Sequence, residues 1–217
     1  MTTPQRTAQR FPAEQARAFA DAVVAIAMTL LILPLMESAA DVTRATSVPV
    51  WLDEHGSQLF SFVLSFGIIA MFWVNHHRTF QRVKEVDSGL LWCTMAWLLG
   101  IVWLPVATAL SGHLEADDRA VKAVYIGSMT LVALLSLLQL LWLRAHPVLH
   151  EMDPATINGT VAMATAMLAL FAVCLVVAVV FPGLSYFPLF LMVGVGPLGR
   201  LFKRIMGPGR PTGPEPQ

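Results

Sequence analysis

Charged side chains interrupt two long apolar stretches of the sequence. Asp21 lies near the start of the segment FADAVVAIAMTLLILPL, residues 19–35, and His76, His77 and Arg78 end a second apolar stretch. A carboxylate, imidazoles and a guanidinium can share hydrogen bonds, and histidine can exchange protons near neutral pH. Because an acid in an apolar membrane segment is costly, Asp21 requires a partner. We therefore predict a structural hydrogen-bonded cluster between the two segments, with proton sensing as the alternative.

The same residues do not predict a metal or catalytic site. Neighbouring side chains on a helix point about 100° apart, so His76 and His77 are poorly placed to bind one ion together. The sequence also contains no nucleophile elbow, no zinc-protease motif and no phosphate-binding loop. We predict no metal, no cofactor and no enzymatic activity.

The composition indicates an integral membrane protein. Hydrophobic residues make up 56% of the 217 residues and charged residues 13%, whereas soluble domains have about 25% charged residues. The formal net charge is zero, so no basic field favours nucleic acid as a partner. We expect membrane lipid around the protein instead.

Six apolar runs position the polar segments. They cover residues 19–36, 59–80, 90–110, 121–143, 157–181 and 184–202. Each is close to the ~20 residues that an α-helix needs to cross a bilayer, and only helices satisfy the backbone over such runs. We predict an all-α fold with a cytoplasmic arm at residues 1–13, a six-helix transmembrane domain at 14–206, and a disordered cytoplasmic tail at 207–217.

The distribution of Lys and Arg predicts the orientation. With both termini in the cytoplasm of a multi-pass cell-membrane protein, eleven of the fourteen Lys and Arg residues fall on the cytoplasmic side. This agrees with the positive-inside rule. The first run could instead be a signal peptide ending at Ser38-Ala39-Ala40, but its length and Asp21 favour a membrane helix.

One face of the first predicted helix carries large apolar side chains. Ile26, Leu30 and Leu33 follow each other at i, i+4 and i+7 and so share a face, with Thr29 beside it. By spacing alone, such a face is ordinarily explained by packing or lipid contact.

The segment at residues 19–35 and the segment WVNHHRTF at residues 73–80 together resemble the two signature segments of the bacterial branch of the transmembrane protein 175 family. Its members are potassium-permeable channels without a glycine-rich selectivity filter. The resemblance implies a homotetramer around a central pore lined by helix one. It also implies a constriction at Ile26, Leu30 and Leu33, with Thr29 able to face a passing ion.

The resemblance also assigns residues that support the pore helix. Phe19 and Asp21 occupy the first and third positions of the family's Phe-Ser-Asp triplet. The candidate network for structural bracing or pH sensing comprises Phe19, Asp21, Trp73, Asn75, His76, His77 and Arg78. Two departures affect this network: Ala20 replaces the triplet's serine, and Gln15 stands where the family has an arginine, with Arg17 displaced by about half a turn.

These features predict a passive ion channel that prefers potassium to sodium, with monovalent cations as its permeant ions. A proton-coupled secondary transporter that uses Asp21 and the histidines is one alternative. A membrane assembly protein without transport is another. The position of Asp21 near one end of its helix favours the channel, because acids in transporters usually lie at the midplane.

Overall fold

The computed structural model describes residues 11–40, 47–113 and 118–180. The helices are α1 Ala13–Leu30, α2 Leu33–Ala40, α3 Val48–Glu54, α4 Gly56–Phe80, α5 Ser88–His113, α6 Arg119–Ala145 and α7 Pro154–Val180. A 3₁₀ turn at Pro147–Leu149 and two short strands, β1 Phe11–Pro12 and β2 Glu85–Val86, complete the described part.

Five segments in the described part are long and apolar enough to cross a membrane. They are Ala13–Ala40, Gly56–Phe80, Ser88–Gly112, Arg119–Ala145 and Pro154–Val180. These segments correspond to the first five predicted runs, and the all-helical architecture is confirmed apart from the two short strands. The sixth run, 184–202, and the predicted tail, 207–217, lie outside the described residues.

The first span is not the single continuous helix that the sequence predicted. Helix α1 ends at Leu30, and α2 begins at Leu33 after a turn. Pro34 explains the break, since proline has no N–H to bond the carbonyl of Leu30 and its ring crowds that carbonyl. The Ile32 amide donates to the Thr29 carbonyl at 3.4 Å instead, and the Met36 amide returns to the Ile32 carbonyl at 3.0 Å.

Helix α5 links α1 and α4 to α6, while α7 packs against α6. Trp97, Ile101 and Ala107 of α5 are fully buried, whereas Trp92 and Leu99 of the same helix are 74% and 73% exposed. One side of this apolar helix therefore packs within the described protomer and the other does not.

Hydrogen bonds between membrane helices accompany this packing. The indole nitrogens of α5 donate to serines of α6, Trp97 to Ser136 and Trp103 to Ser128, each at 2.9 Å. The Gln139 side chain donates to the Cys93 carbonyl at 3.3 Å. Polar side chains of α6 therefore hold it to α5, as is common in membranes.

The end of the bundle that carries both short strands is tied together by backbone contacts. Strand β1 pairs antiparallel with β2, and Ala13 is buried at the start of α1. The Lys84 amide also donates to the Leu149 carbonyl at 2.8 Å. Residues 11–13, at the end of the predicted cytoplasmic arm, are held in the described fold by this pairing and by the Ala13 amide, which donates to the Lys84 carbonyl. Residues 1–10 lie outside the description.

Candidate pore helix and its support

The residues predicted to form the constriction lie on a side of the first span that the other described residues leave largely uncovered. Ile26 is 61% exposed, Leu33 47% and Leu30 38%. Phe19, which was predicted to join the polar network, is 51% exposed instead. It precedes Ile26 by seven residues, which places both on one face of α1. These four residues form what we call the uncovered stripe.

The opposite side of α1 is packed against the bundle. Ala20, Val24 and Ala27 are at most 1% exposed, and Leu31 continues this buried stripe at 2%. Their neighbours are core residues of α4 and α5. The helix is therefore anchored through one side, and its uncovered stripe is between 38% and 61% exposed within the described protomer.

Thr29 lies on the exposed side of α1, next to the uncovered stripe. Its hydroxyl donates to the Ile26 carbonyl at 2.7 Å. This bond satisfies the hydroxyl proton and leaves the oxygen lone pairs on the exposed surface. The Thr29 hydroxyl oxygen could therefore coordinate a cation at the exposed surface.

Asp21 finds its predicted partners on α4. The Trp73 indole donates to Asp21 Oδ1 at 2.8 Å. His77 Nδ1 lies 3.3 Å from Asp21 Oδ1 and 3.2 Å from Oδ2. Trp73 and His77 are four residues apart and therefore share one face of α4, and their rings contact each other. The Asp21 cluster, which consists of these three residues, joins the candidate pore helix to α4.

The other four residues of the predicted network do not join the Asp21 cluster. Phe19 lies on the uncovered stripe, and Asn75 and Arg78 are exposed on a different side of α4. His76 is buried between the rings of Phe80 and Trp97, at centroid distances of 4.1 Å and 4.2 Å. Successive helical residues point about 100° apart, so neighbouring residues of the segment 73–80 lie on different faces of α4.

The departures from the family motif have simple structural consequences. Ala20 is completely buried, and its methyl group needs no hydrogen-bond partner, which a serine there would need. Gln15 is exposed. Within the described residues, Arg17 makes no ion pair with Asp21, so the carboxylate is held by the indole and imidazole alone.

Sequence reasoning missed a second polar contact at the same end of the bundle. Asp87 accepts hydrogen bonds from the Leu90 amide at 2.8 Å and from the Trp142 indole at 3.1 Å. Gly89 allows the Trp142 indole to approach Asp87, since a Cβ at position 89 would lie 2.0 Å from the Trp142 ring. The Asp-Ser-Gly sequence before the third run was the available signal, because it is typical of a helix N-cap.

The described side chains are not arranged as a metal-binding site. Within residues 11–40, 47–113 and 118–180, no three His, Cys, Asp or Glu side chains are grouped so as to hold an ion. The Asp21 cluster instead joins two membrane helices through hydrogen bonds, and the uncovered stripe offers an apolar surface.

Comparison with known proteins identifies the family. The family model described as "Endosomal/lysosomal potassium channel TMEM175" matches residues 15–105, from α1 through most of α5. A potassium channel of Streptomyces collinus is 34% identical over 153 residues, which cover 68% of this chain and 71% of that relative. The chain belongs to the TMEM175 family. The resemblance predicted from the two signature segments is therefore confirmed.

Two further proteins are similar to this chain. A potassium channel of a Chryseobacterium species is 30% identical over 112 residues, or 51% of this chain and 54% of that relative. The crystal structure of a lysosomal potassium-selective channel TMEM175 homolog from Chamaesiphon minutus shares the fold, with a TM-score of 0.68 and 24% identity over 83% of this chain and 93% of that one. TMEM175 is a family of potassium channels and not of enzymes.

Proposed function

We propose that this chain is a passive potassium-permeable channel that prefers potassium to sodium. The observation that supports the proposal is the uncovered stripe, where the large apolar side chains of Ile26, Leu30 and Leu33 are 38–61% exposed in the described protomer. Lipid contact alone would account for such a stripe in an unrelated protein. In a member of a potassium channel family, a pore is the better explanation.

The proposed pore requires several copies of the chain. A single copy of the first helix cannot enclose a pore. We therefore propose a tetramer in which the uncovered stripe of each protomer faces a central axis. Closed cyclic symmetry is the usual form of such assemblies. Ala18, Ala22 and Ala25 are also exposed on α1, and small side chains allow neighbouring helices to approach closely.

The proposed constriction works by excluding water. Rings of Ile26, Leu30 and Leu33 would form a narrow apolar neck that closes by dewetting. Potassium loses its hydration shell at a lower cost than sodium, so it would cross the neck more readily. The Thr29 oxygen would offer one polar contact beside this neck.

We propose that both termini lie in the cytoplasm and that the protein resides in the cell membrane. The supporting observation is the excess of Lys and Arg in the segments on that side of the membrane. In this orientation the Asp21 cluster and the two short strands lie near the cytoplasmic surface.

A proton-coupled transporter is the second candidate. The close approach of His77 Nδ1 to Asp21 Oδ2, at 3.2 Å, favours it because a carboxylate and an imidazole can exchange protons. In the channel proposal the same contact is structural and holds α1 in place.

Ion flux from liposomes that contain the purified full chain tests the proposal. Potassium leaving down its gradient draws protons inward through an added protonophore, and an internal dye reports the acidification. We expect rapid acidification with a potassium gradient, little with an equal sodium gradient and none in protein-free liposomes. Potassium movement that requires an opposing proton gradient without the protonophore would support the transporter, and no flux with either cation would contradict the channel.

A further inference from the structure

A second site lies on the other side of α4 from the Asp21 cluster. A cavity of about 800 Å³ opens between α4, α6 and α7, and it is lined by residues from Phe72 to Arg82, Ala133 to Leu140 and Met152 to Met167. From Thr156 to Met167 it follows eleven residues of α7, or about 17 Å at 1.5 Å per residue. The cavity is therefore long enough to reach from the membrane surface into the hydrocarbon region.

The two ends of the cavity differ in polarity. Arg78, Arg82 and Thr156 line it near the end of the bundle that carries the two short strands, whereas Ala133 and Met167 line its deeper part. Polar groups at one end and apolar groups at the other match a molecule that has a charged head and a hydrocarbon chain.

The charged end has an unbalanced positive charge. Within the described residues, neither Arg78 nor Arg82 takes part in an ion pair, and no acid lines the cavity. Two acids in the segment before α7 are already engaged: Glu151 pairs with Lys84 at 2.8 Å, and Asp153 accepts from the Thr156 amide at 3.1 Å. Hydrogen bonds from Thr156 hold the pKa of the Asp153 carboxyl below its usual value.

His76 adds an independent polar feature to the same cavity. It lines the cavity and is only 7% exposed, and within the described part neither ring nitrogen has a hydrogen-bond partner. Buried polar atoms are ordinarily satisfied. Because surrounding atoms cover both ring nitrogens, His76 contributes a buried polar group beside the cavity and not a hydrogen bond into it.

We propose that this cavity binds the headgroup of an anionic phospholipid. Arg78 and Arg82 would hold the phosphate, because one guanidinium group can donate two parallel hydrogen bonds to phosphate oxygens. An acyl chain would extend past Met163 and Met167 into the membrane. Basic pockets between transmembrane helices on the cytoplasmic side are suited to such headgroups. The bound lipid would rest against α4, whose opposite face carries Trp73 and His77 of the Asp21 cluster.

Lipid binding to the full chain tests this site without any measurement of ion flux. Native mass spectrometry in neutral detergent would follow titration with phosphatidylglycerol and, separately, with phosphatidylcholine. We expect preferential retention of phosphatidylglycerol. The double variant Arg78→Gln with Arg82→Gln should weaken its binding about tenfold more than Arg17→Gln with Arg144→Gln, given several-fold stabilisation by each arginine near an anionic headgroup. The second pair removes the same charge outside the cavity.

Inorganic phosphate distinguishes a lipid from a soluble phosphate compound. At millimolar concentration it should displace little phosphatidylglycerol, because it lacks the acyl chains. Complete displacement by phosphate would overturn the lipid assignment and indicate a soluble anion site.

A glycine substitution tests the cavity without changing any charge. A Cβ at Gly159 or at Gly127 would meet no atom within 4 Å, but only Gly159 lines the cavity. Gly159→Leu should therefore narrow the cavity and reduce phosphatidylglycerol binding, while Gly127→Leu should not. These two glycine variants test the proposal even if the double arginine variant does not fold. Equal binding by Gly159→Leu, Gly127→Leu and the wild type would overturn the proposal.

Discussion

The two sides of α1 show how one helix can serve both assembly and conduction. The buried stripe of Ala20, Val24 and Ala27 has small or medium side chains packed closely against α4 and α5, and the Asp21 cluster adds directional hydrogen bonds. The uncovered stripe has larger apolar side chains and no partner within the described protomer. Changes on the first side should therefore act on stability, and changes on the second on ion flux.

The largest expected effect is the loss of the acid that joins α1 to α4. Asp21→Ala leaves the Trp73 indole and the His77 Nδ1 without their acceptor, which should lower the free energy of unfolding by about 3 kcal/mol. Oligomer yield should fall with it. Thermal unfolding and size-exclusion chromatography in detergent measure both, with Glu14→Ala, an exposed acid in the first turn of α1, as the matched control. Normal assembly with an altered pH response of flux would support a sensor instead.

A pair of alanines compares the two sides of α1 directly. Ala27 is 1% exposed, and Ala27→Leu should overpack the interface with the bundle at a cost of about 2 kcal/mol. Ala25 is exposed, so Ala25→Leu should leave the packing within the protomer nearly unchanged and reduce potassium flux by separating neighbouring copies of α1 in the proposed tetramer. Equal destabilisation by both substitutions would contradict the difference between the sides.

A polar residue in the proposed neck should raise conductance. Ile26→Asn should favour water in the constriction, and lowering the barrier by ~1.4 kcal/mol would increase conductance about tenfold while weakening the preference for potassium. Single-channel recording in planar bilayers measures both quantities. Val176→Asn is the matched control, because Val176 on α7 is 60% exposed and Ile26 is 61% exposed. It should leave conductance unchanged.

The smallest effect is expected at Thr29. Thr29→Val removes the hydroxyl that donates to the Ile26 carbonyl, and as an exposed change it should alter the free energy of unfolding by no more than about 0.5 kcal/mol. Loss of one oxygen contact worth ~0.5 kcal/mol would change the permeability ratio of potassium to sodium about twofold. Reversal potentials in mixed-ion solutions report this ratio. An unchanged ratio would remove Thr29 from the proposed pore.

Features set by local sequence were predictable. Long apolar runs fixed the first five spans, and i, i+4, i+7 spacing placed Ile26 and Leu30 together. The break after Leu30 was also signalled by Pro34 within the first run, but the prediction took this run as one helix without considering the proline. The seven-residue spacing of Phe19 and Ile26 likewise indicated a shared face.

Features set by distant contacts were not predictable from one sequence. The pairing of β1 with β2 joins residues about seventy positions apart in the chain, and no local pattern indicates it. The cavity between α4, α6 and α7 depends on how three helices pack together, so its lining of Arg78, Arg82 and Thr156 required the structure.

Cysteine accessibility would test most directly whether the uncovered stripe lines a pore. Cys93 and Cys174 would first be replaced by serine and alanine to remove background reaction. Cysteine would then be placed at Ile26, Leu33 or Ala27, and potassium current recorded during addition of silver ions. We predict block at Ile26 and Leu33, with no block at the buried Ala27. Full current after confirmed labelling at Ile26 and Leu33 would contradict a pore lined by this stripe.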